Sequence, residues 1–363
     1  MEKDLGYRRV QHTGRGSYII SLPKEWVQNL GLEKGSAIAF KKLDDSSLSL
    51  TPRKIVEGRT EKESGPQEYW IHIVSREDPQ TVCRKIVSLY VVGADLIHIH
   101  FKDGSLLEHR LSIKNLTLNT LLGAEIVEEL PNKLTLQILI NHPDFPVETS
   151  IRRMAALALS ANKDCLLAIR NMDETLVQNV ISTCHDVSRL DVYVIRQLKF
   201  GLERELYKEM GFQTPKEFLG YRIVANDIKS IANNAINIAH NIVTLKKLME
   251  NQILYIKEPL DDEVYSQILH FNSVTNQLFE EVLKALFKRS YEQADQIISK
   301  LASFDRLETD LIALVSNKKL DPNLSSLFRL ALDSSRRVVE YCRDIAEVTL
   351  HRTVEEISAT PPI

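Results

Sequence analysis

From Val224 to Leu245 the apolar positions Val224, Ile228, Ile231, Ala235, Ile238, Ile242 and Leu245 follow one another at steps that alternate between four and three. That spacing lays one stripe along a helix and predicts a face buried against neighbouring helices in a bundle. Burying each large aliphatic member contributes about 1.5–3 kcal/mol, so the stripe is explained as core and needs no cofactor. Glycine usage extends the same reading. Residues 147–220 hold only Gly201, Gly211 and Gly220, and residues 221–363 hold none. Long helices with few tight turns are predicted over 147–357.

The first 146 residues are patterned differently. Tyr7–Thr13 and Ser17–Leu22 read as strands around a Gly14/Gly16 turn, where a positive φ is cheap only for glycine. A short helix is predicted from Pro23 to a stop at Gly31, followed by strands Ser36–Leu43 and Ser47–Thr51. Residues 1–56 thus form a small β module, and the polar, glycine-containing 57–67 a linker. Residues 68–146 predict a small α/β domain: strand Glu68–Val74, a helix capped by Asp78 with Pro79 at its start and stopped by Gly93, and strand Asp95–Phe101. A helix over Leu106–Leu122 and a hairpin of Glu125–Glu129 with Lys133–Leu139 complete it. The fold class is therefore multidomain α+β.

The helical region repeats itself. Val180-Ile-Ser and Arg189-Leu-Asp191 recur as Ile297-Ile-Ser and Arg306-Leu-Glu308 at an offset of 117, and Asn237-Ile-Ala-His240 recurs as Asp344-Ile-Ala-Glu347 at an offset of 107. The longer connection around Lys208–Gly220, against Ser316–Asn323, accounts for the difference. Two three-helix units, 147–250 and 261–357, are expected.

Composition adds little until it is divided along the chain. With 44% hydrophobic and 26% charged residues and a net charge of −3, the 363 residues describe a globular protein and no general polyanion binder. Residues 1–56 nevertheless carry ten Lys/Arg against six Asp/Glu, so the basic excess sits on the N-terminal module. Arg8 and Arg9 lie on the first strand, Arg15 at the ribbon tip and Lys24 at the helix start, and a ribbon of that size fits a DNA major groove. The four cysteines show no paired spacing, so neither a disulfide framework nor a zinc finger is expected. No secretory leader is read, and no apolar run approaches the roughly 18 residues of a membrane span. A cytoplasmic protein without direct membrane insertion is expected.

The β-β-α-β-β order, with Leu22-Pro-Lys-Glu25 and Leu30-Gly-Leu-Glu-Lys-Gly-Ser36, resembles the AbrB/SpoVT DNA-binding domain over residues 5–52. The resemblance implies an intertwined homodimer whose paired ribbons present Arg9 (or Arg8) and Arg15 to double-stranded DNA, with Lys24, Lys41 and Lys42 on phosphates. Arginines that some members carry on the short helix correspond here to Val27 and Gln28. The tandem three-helix units, with Asn226–His240 in the third helix, resemble PhoU, the phosphate-uptake regulator. The whole chain resembles prokaryotic proteins that fuse an AbrB-like domain to PhoU.

Together these resemblances imply a DNA-binding regulator of phosphate uptake. The alternative is a PhoU-type adaptor that docks on phosphate-transporter components or another regulatory protein and uses its N-terminal module only to dimerise. PhoU proteins often hold metals through acids four apart on each third helix. The corresponding positions here are Lys229 and Asn233, then Arg336 and Glu340. No metal and no cofactor is expected; Lys229 and Arg336 are expected to pair with acids on neighbouring helices or to contribute to an anion-binding surface. Asp191 and Glu308 are read as members of a solvated helix face, as are His98 and His100 on their strand. No nucleophile elbow, phosphate-cradling loop or zinc-protease pair occurs, so no catalytic residue is expected.

Overall fold

The computed structural model describes residues 7–12, 14, 16–42, 48–52, 66–102, 106–140, 145–256 and 260–358. The chain divides into two compact units, Met1–Pro66 and Gln67–Ile363. Residues 57–65, most of the expected linker, lie outside the described residues.

The N-terminal unit contains two separate hairpins. β1 (Gln11–His12) pairs antiparallel with β2 (Tyr18–Ile19), and β3 (Ile38–Lys42) with β4 (Leu48–Pro52), on either side of α1 (Lys24–Asn29) in sequence. The first ribbon is much shorter than the alternation predicts. A lone two-stranded hairpin is marginal in water, and its described residues are all exposed.

The second unit begins with a four-stranded sheet in the order β5 (Glu68–Ile73), β6 (Leu96–Phe101), β8 (Lys133–Ile138), β7 (Ala124–Leu130). β5 and β6 run parallel through the crossover helix α2 (Pro79–Val91), and β8 runs antiparallel to both β6 and β7. α2 starts where the sequence predicts: the Asp78 carboxylate accepts from Thr81 N–H at 2.9 Å, with Pro79 in the first turn. Ile97, Ile99, Leu134 and Leu136 turn inward with Ile113 of α3 (Leu107–Asn119). The alternate positions Trp70, His98 and His100 turn away, as period-two patterning requires.

Six long helices follow: α4 (Val147–Asn171), α5 (Glu174–Glu203), α6 (Glu217–Glu250), α7 (Asp262–Lys288), α8 (Tyr291–Asn317) and α9 (Pro322–Ser358). The predicted stripe on α6 is buried from Val224 to Ile242. The repeat extends to the backbone: α4 and α7 both end on a left-handed non-glycine residue, Met172 (φ 49°) and Arg289 (φ 53°). The next residue in each case, Asp173 or Ser290, caps the following helix. These corners are 117 positions apart, the offset of the sequence repeat. α4 and α7, the first helices of the two repeats within the second unit, meet through Asn162, whose amide donates to Asn276 Oδ1 at 3.0 Å. Among the described residues no helix is long and apolar enough to cross a membrane.

Candidate functional site

In the N-terminal unit, Arg8 and Arg9 are exposed on the extended run before β1, and Arg8 Nη1 donates back to the Tyr7 carbonyl at 2.9 Å. Lys24 is exposed at the first position of α1, directly after Pro23. Gly16 adopts a φ of +82°, the conformation for which a glycine is needed at this turn. Arg15 lies outside the described residues, as does the side chain of Lys41; Lys42 is exposed at the end of β3. Arg8 and Arg9 are chain neighbours, whereas Lys24 stands on a separate element. Around them Tyr18, Ile19, Ile20, Phe40 and Leu48 are exposed, and Pro52 is the only buried residue among those described in this unit before Pro66.

In the helices the two cations at repeat-equivalent positions, Lys229 and Arg336, are engaged internally. Lys229 Nζ donates to Asp191 Oδ2 at 2.8 Å, with Arg222 Nη1 3.6 Å from the other oxygen. At the repeat-equivalent positions Arg336 Nε lies 3.5 Å from Glu308 Oε1, and Arg336 Nη1 donates to Glu340 at 2.6 Å. The expected ion pairing is therefore present. Asp191 corrects the sequence reading: it is 1% exposed and sits on no solvated face. Leu190, Val187 and Val194 flank it in the core, and α6 crosses close enough to deliver a lysine. Glu308 is only half-buried, and that burial pushes its carboxyl above the ordinary range while Arg336 opposes the shift.

His98 and His100 do lie together on one partly solvated strand face. His98 stacks on Trp70 with centroids 5.1 Å apart and meets Glu68 Oε2 at 3.2 Å, and His100 leans on His72. Among the described residues, no group of three His, Cys, Asp or Glu is placed to hold a metal ion.

Three constellations escaped the sequence reading. Arg196 of α5 is buried and donates to the carbonyls of Tyr90 (2.7 Å) and Ala94 (2.8 Å), fastening α2 and the turn into β6 to the helices. Asp227 of α6 is buried, and its Oδ2 has no hydrogen-bond partner. Burial, reinforced by Asp344 of α9, pushes its carboxyl up to about 7.

The third lies at the start of α6. Glu217 Oε2 receives Arg352 Nη2 at 2.5 Å and Arg289 Nη1 at 2.9 Å, while Oε1 receives the backbone N–H groups of Gln213 (2.8 Å) and Thr214 (3.3 Å). Burial raises this carboxyl, but the two guanidiniums and the Gln213 N–H together hold it below the ordinary range. The Thr214-Pro-Lys-Glu217 run has capping-box spacing, and the Glu217 half of such a box is formed by the bond from the Thr214 N–H. These residues border a cavity of about 320 Å³ between the start of α6 and the end of α9.

Residues 11–57 match the family model of MazE, a bacterial antitoxin of antidote–toxin recognition, and residues 151–242 match the PhoU domain. No curated protein matches the chain. Among solved structures, the phosphate transport system regulatory protein PhoU from Streptococcus pneumoniae is 17% identical with a TM-score of 0.45, covering 60% of this chain and 96% of its own. PhoU from Pseudomonas aeruginosa is 14% identical with a TM-score of 0.36, covering 59% and 96%.

Proposed function

We propose that this chain is a cytoplasmic, DNA-binding transcriptional regulator of phosphate uptake and phosphate homeostasis, in which a two-chain ribbon grips duplex DNA under control of the helical unit. The observation that carries the reading is the joining, in one polypeptide, of a MazE-type stretch bearing exposed Arg8, Arg9 and Lys24 to a PhoU-type stretch. Arg9 and Arg15 are assigned to base edges, and Arg8 and Lys24 to positioning. The helical unit receives the signal, from a small ligand or a phosphate-transporter component, and alters the geometry of the paired ribbons.

Burial supports a homodimer. Among its described residues the module buries only Pro52, and the apolar side chains it exposes are covered if a second copy completes the fold.

The test is binding of the full chain to duplex DNA between about 50 and 200 mM salt, since neutralising several phosphates gives a steep salt slope. Mapping of bound genomic DNA with phosphate plentiful and scarce then checks the phosphate assignment. A monomer that ignores DNA in dilute buffer overturns the proposal.

One observation favours a second reading. The matched N-terminal model is described by antidote–toxin recognition, a protein contact, and α1 carries uncharged Val27 and Gln28. On that reading the chain is a signalling adaptor docked on a phosphate transporter or other regulatory protein, and it shows no binding to duplex DNA at any salt concentration.

A further inference from the structure

We propose that His72 of β5 and His100 of β6 form a two-imidazole site for a zinc(II) ion on the open face of the four-stranded sheet. The inference concerns the second unit alone and stands whether or not the N-terminal unit binds DNA.

The parallel register sets the two side by side: His72 faces His100, two residues beyond the facing pair Trp70 and His98. Ile73, Ile99 and Phe101 alternate with them and pack into the core beneath the sheet, so both imidazoles are held on the opposite face. The two ring pairs on that face differ. Trp70 and His98 stack with planes 24° apart, and the His98 nitrogens meet Glu68 Oε2 and Thr135 Oγ1, each at 3.2 Å. His72 and His100 are tilted by 44° with centres 5.4 Å apart. Among the described residues neither of these two rings makes a hydrogen bond or an ion pair. Lys133 is the cross-strand neighbour of His100 on β8, and its charge is already paired with Glu128 at 2.6 Å.

The separation of the rings suits one shared ion. A zinc–nitrogen bond of about 2.0 Å places an imidazole centre about 3.2 Å from the metal. Two such centres 5.4 Å apart subtend roughly 115° at the ion, near the tetrahedral angle zinc adopts. Imidazole nitrogen selects zinc and its transition-metal neighbours over magnesium and calcium, which take oxygen. His72 is exposed and His100 half-buried, so water reaches the two remaining positions. With two protein ligands in place of four, the ion is exchangeable and unlike a closed structural zinc. The sequence reading set His98 beside His100 because they share a strand; the second ligand comes from the neighbouring strand instead. β5 is an edge strand that pairs with β6 alone, so an ion held between them clasps the edge to the sheet.

The test is calorimetric titration of the untagged, metal-free full chain with Zn(II) near neutral pH, beside Mg(II) as the oxygen-seeking control. One Zn(II) per chain is expected to bind saturably, and Mg(II) to give no binding heat. His72→Gln and His100→Gln each remove one of two ligands from a solvent-facing position, and each is expected to weaken Zn(II) by about tenfold or more at unchanged helix content. His98→Gln keeps both ligands and is expected to bind as the parent does. With the histidine ring nitrogens labelled, Zn(II) should shift the NMR signals of two residues, the ones missing from His72→Gln and His100→Gln. Hydrogen exchange across residues 68–73 should slow when Zn(II) is present.

Absence of saturable Zn(II) binding, comparable binding of Mg(II), or full affinity in either His72→Gln or His100→Gln overturns the proposal. So does equal weakening in His98→Gln, or a shift confined to one ring. Every readout is taken on DNA-free protein, so none of these results bears on the DNA reading, and loss of DNA binding does not bear on this one.

Discussion

Lys229 Nζ lies 2.8 Å from Asp191 Oδ2, and the pair occupies the position that Arg336 and Glu308 occupy in the second three-helix unit. The two pairs differ in their surroundings. Asp191 is fully enclosed, whereas Arg336 is shared among Glu308, Asp333 and Glu340 on a half-open face. Removing the lysine leaves a buried carboxylate with only Arg222 at 3.6 Å. Lys229→Met is therefore expected to cost about 2–4 kcal/mol, and Arg336→Met no more than about 1 kcal/mol. Adding Asp191→Asn to Lys229→Met should restore most of the loss, as urea denaturation followed by circular dichroism would report. Equal costs at the two positions would count against internal compensation.

The α6 stripe was legible because seven positions obey one period and burial follows period directly. The Asp78-Pro79 start of α2 was legible for a similar reason: a cap is a local event, decided within four residues. Asp191 was misread because a carboxylate on a helix is usually solvated, and only the crossing of α6 decides otherwise. Arg196 and the Arg289, Arg352 and Glu217 group were out of reach for the same reason, since their side-chain partners lie 63 to 135 residues away in the chain. The αL corners at Met172 and Arg289 carry no glycine to announce them.

Arg196 joins the sheet to the helices through two main-chain carbonyls, and its guanidinium lies 5.0 Å from the Tyr90 ring centre. Substitution by methionine keeps much of the volume and removes the donors, taking the guanidinium from the Ala94 carbonyl and leaving the Tyr90 carbonyl with the Gly93 N–H alone at a buried junction. Arg196→Met is expected to destabilise the chain by about 3 kcal/mol. Hydrogen exchange should locate the damage first at residues 90–96, before the cores of α5 and α6 are affected. Uniform loss of protection across the helices would instead mean that the arginine supports the bundle as a whole.

Asp227 gives stability a pH dependence of defined sign. Its carboxyl titrates near 7 in the folded chain, pushed up by burial and by Asp344, against an ordinary value of 3.8. Between those two values the folded state holds a proton that the unfolded state has released. Stability therefore falls as pH rises through the window, by up to about 3–4 kcal/mol at its upper end. Asp344, itself raised by burial and by Glu347, adds to the same trend. Melting temperature is expected to decline from about pH 5 to pH 8, and Asp227→Asn to flatten that decline and exceed the parent at pH 8. An unchanged slope in Asp227→Asn would show that the carboxyl is not the group responsible.

Dimerisation through the N-terminal unit can be separated from everything the helices do. Phe40 is 65% exposed on β3, and Ile20 follows β2 nearly half exposed. On an isolated surface, substitutions at such positions change stability by no more than about 0.5 kcal/mol, so a large effect diagnoses a contact that one chain alone does not contain. Phe40→Glu and Ile20→Lys are both expected to convert a sedimenting dimer to a monomer. The helical unit keeps its own buried core, so helix content should remain at the parent level. DNA affinity should fall with the dimer, since each chain then presents half of the basic surface. By contrast, Lys24→Ala should leave the dimer intact and lower the magnitude of the salt slope by about one, as loss of one phosphate contact does. A Phe40→Glu protein that sediments as the parent does, with unchanged DNA binding, would place the subunit contact elsewhere and remove the reason for pairing the ribbons.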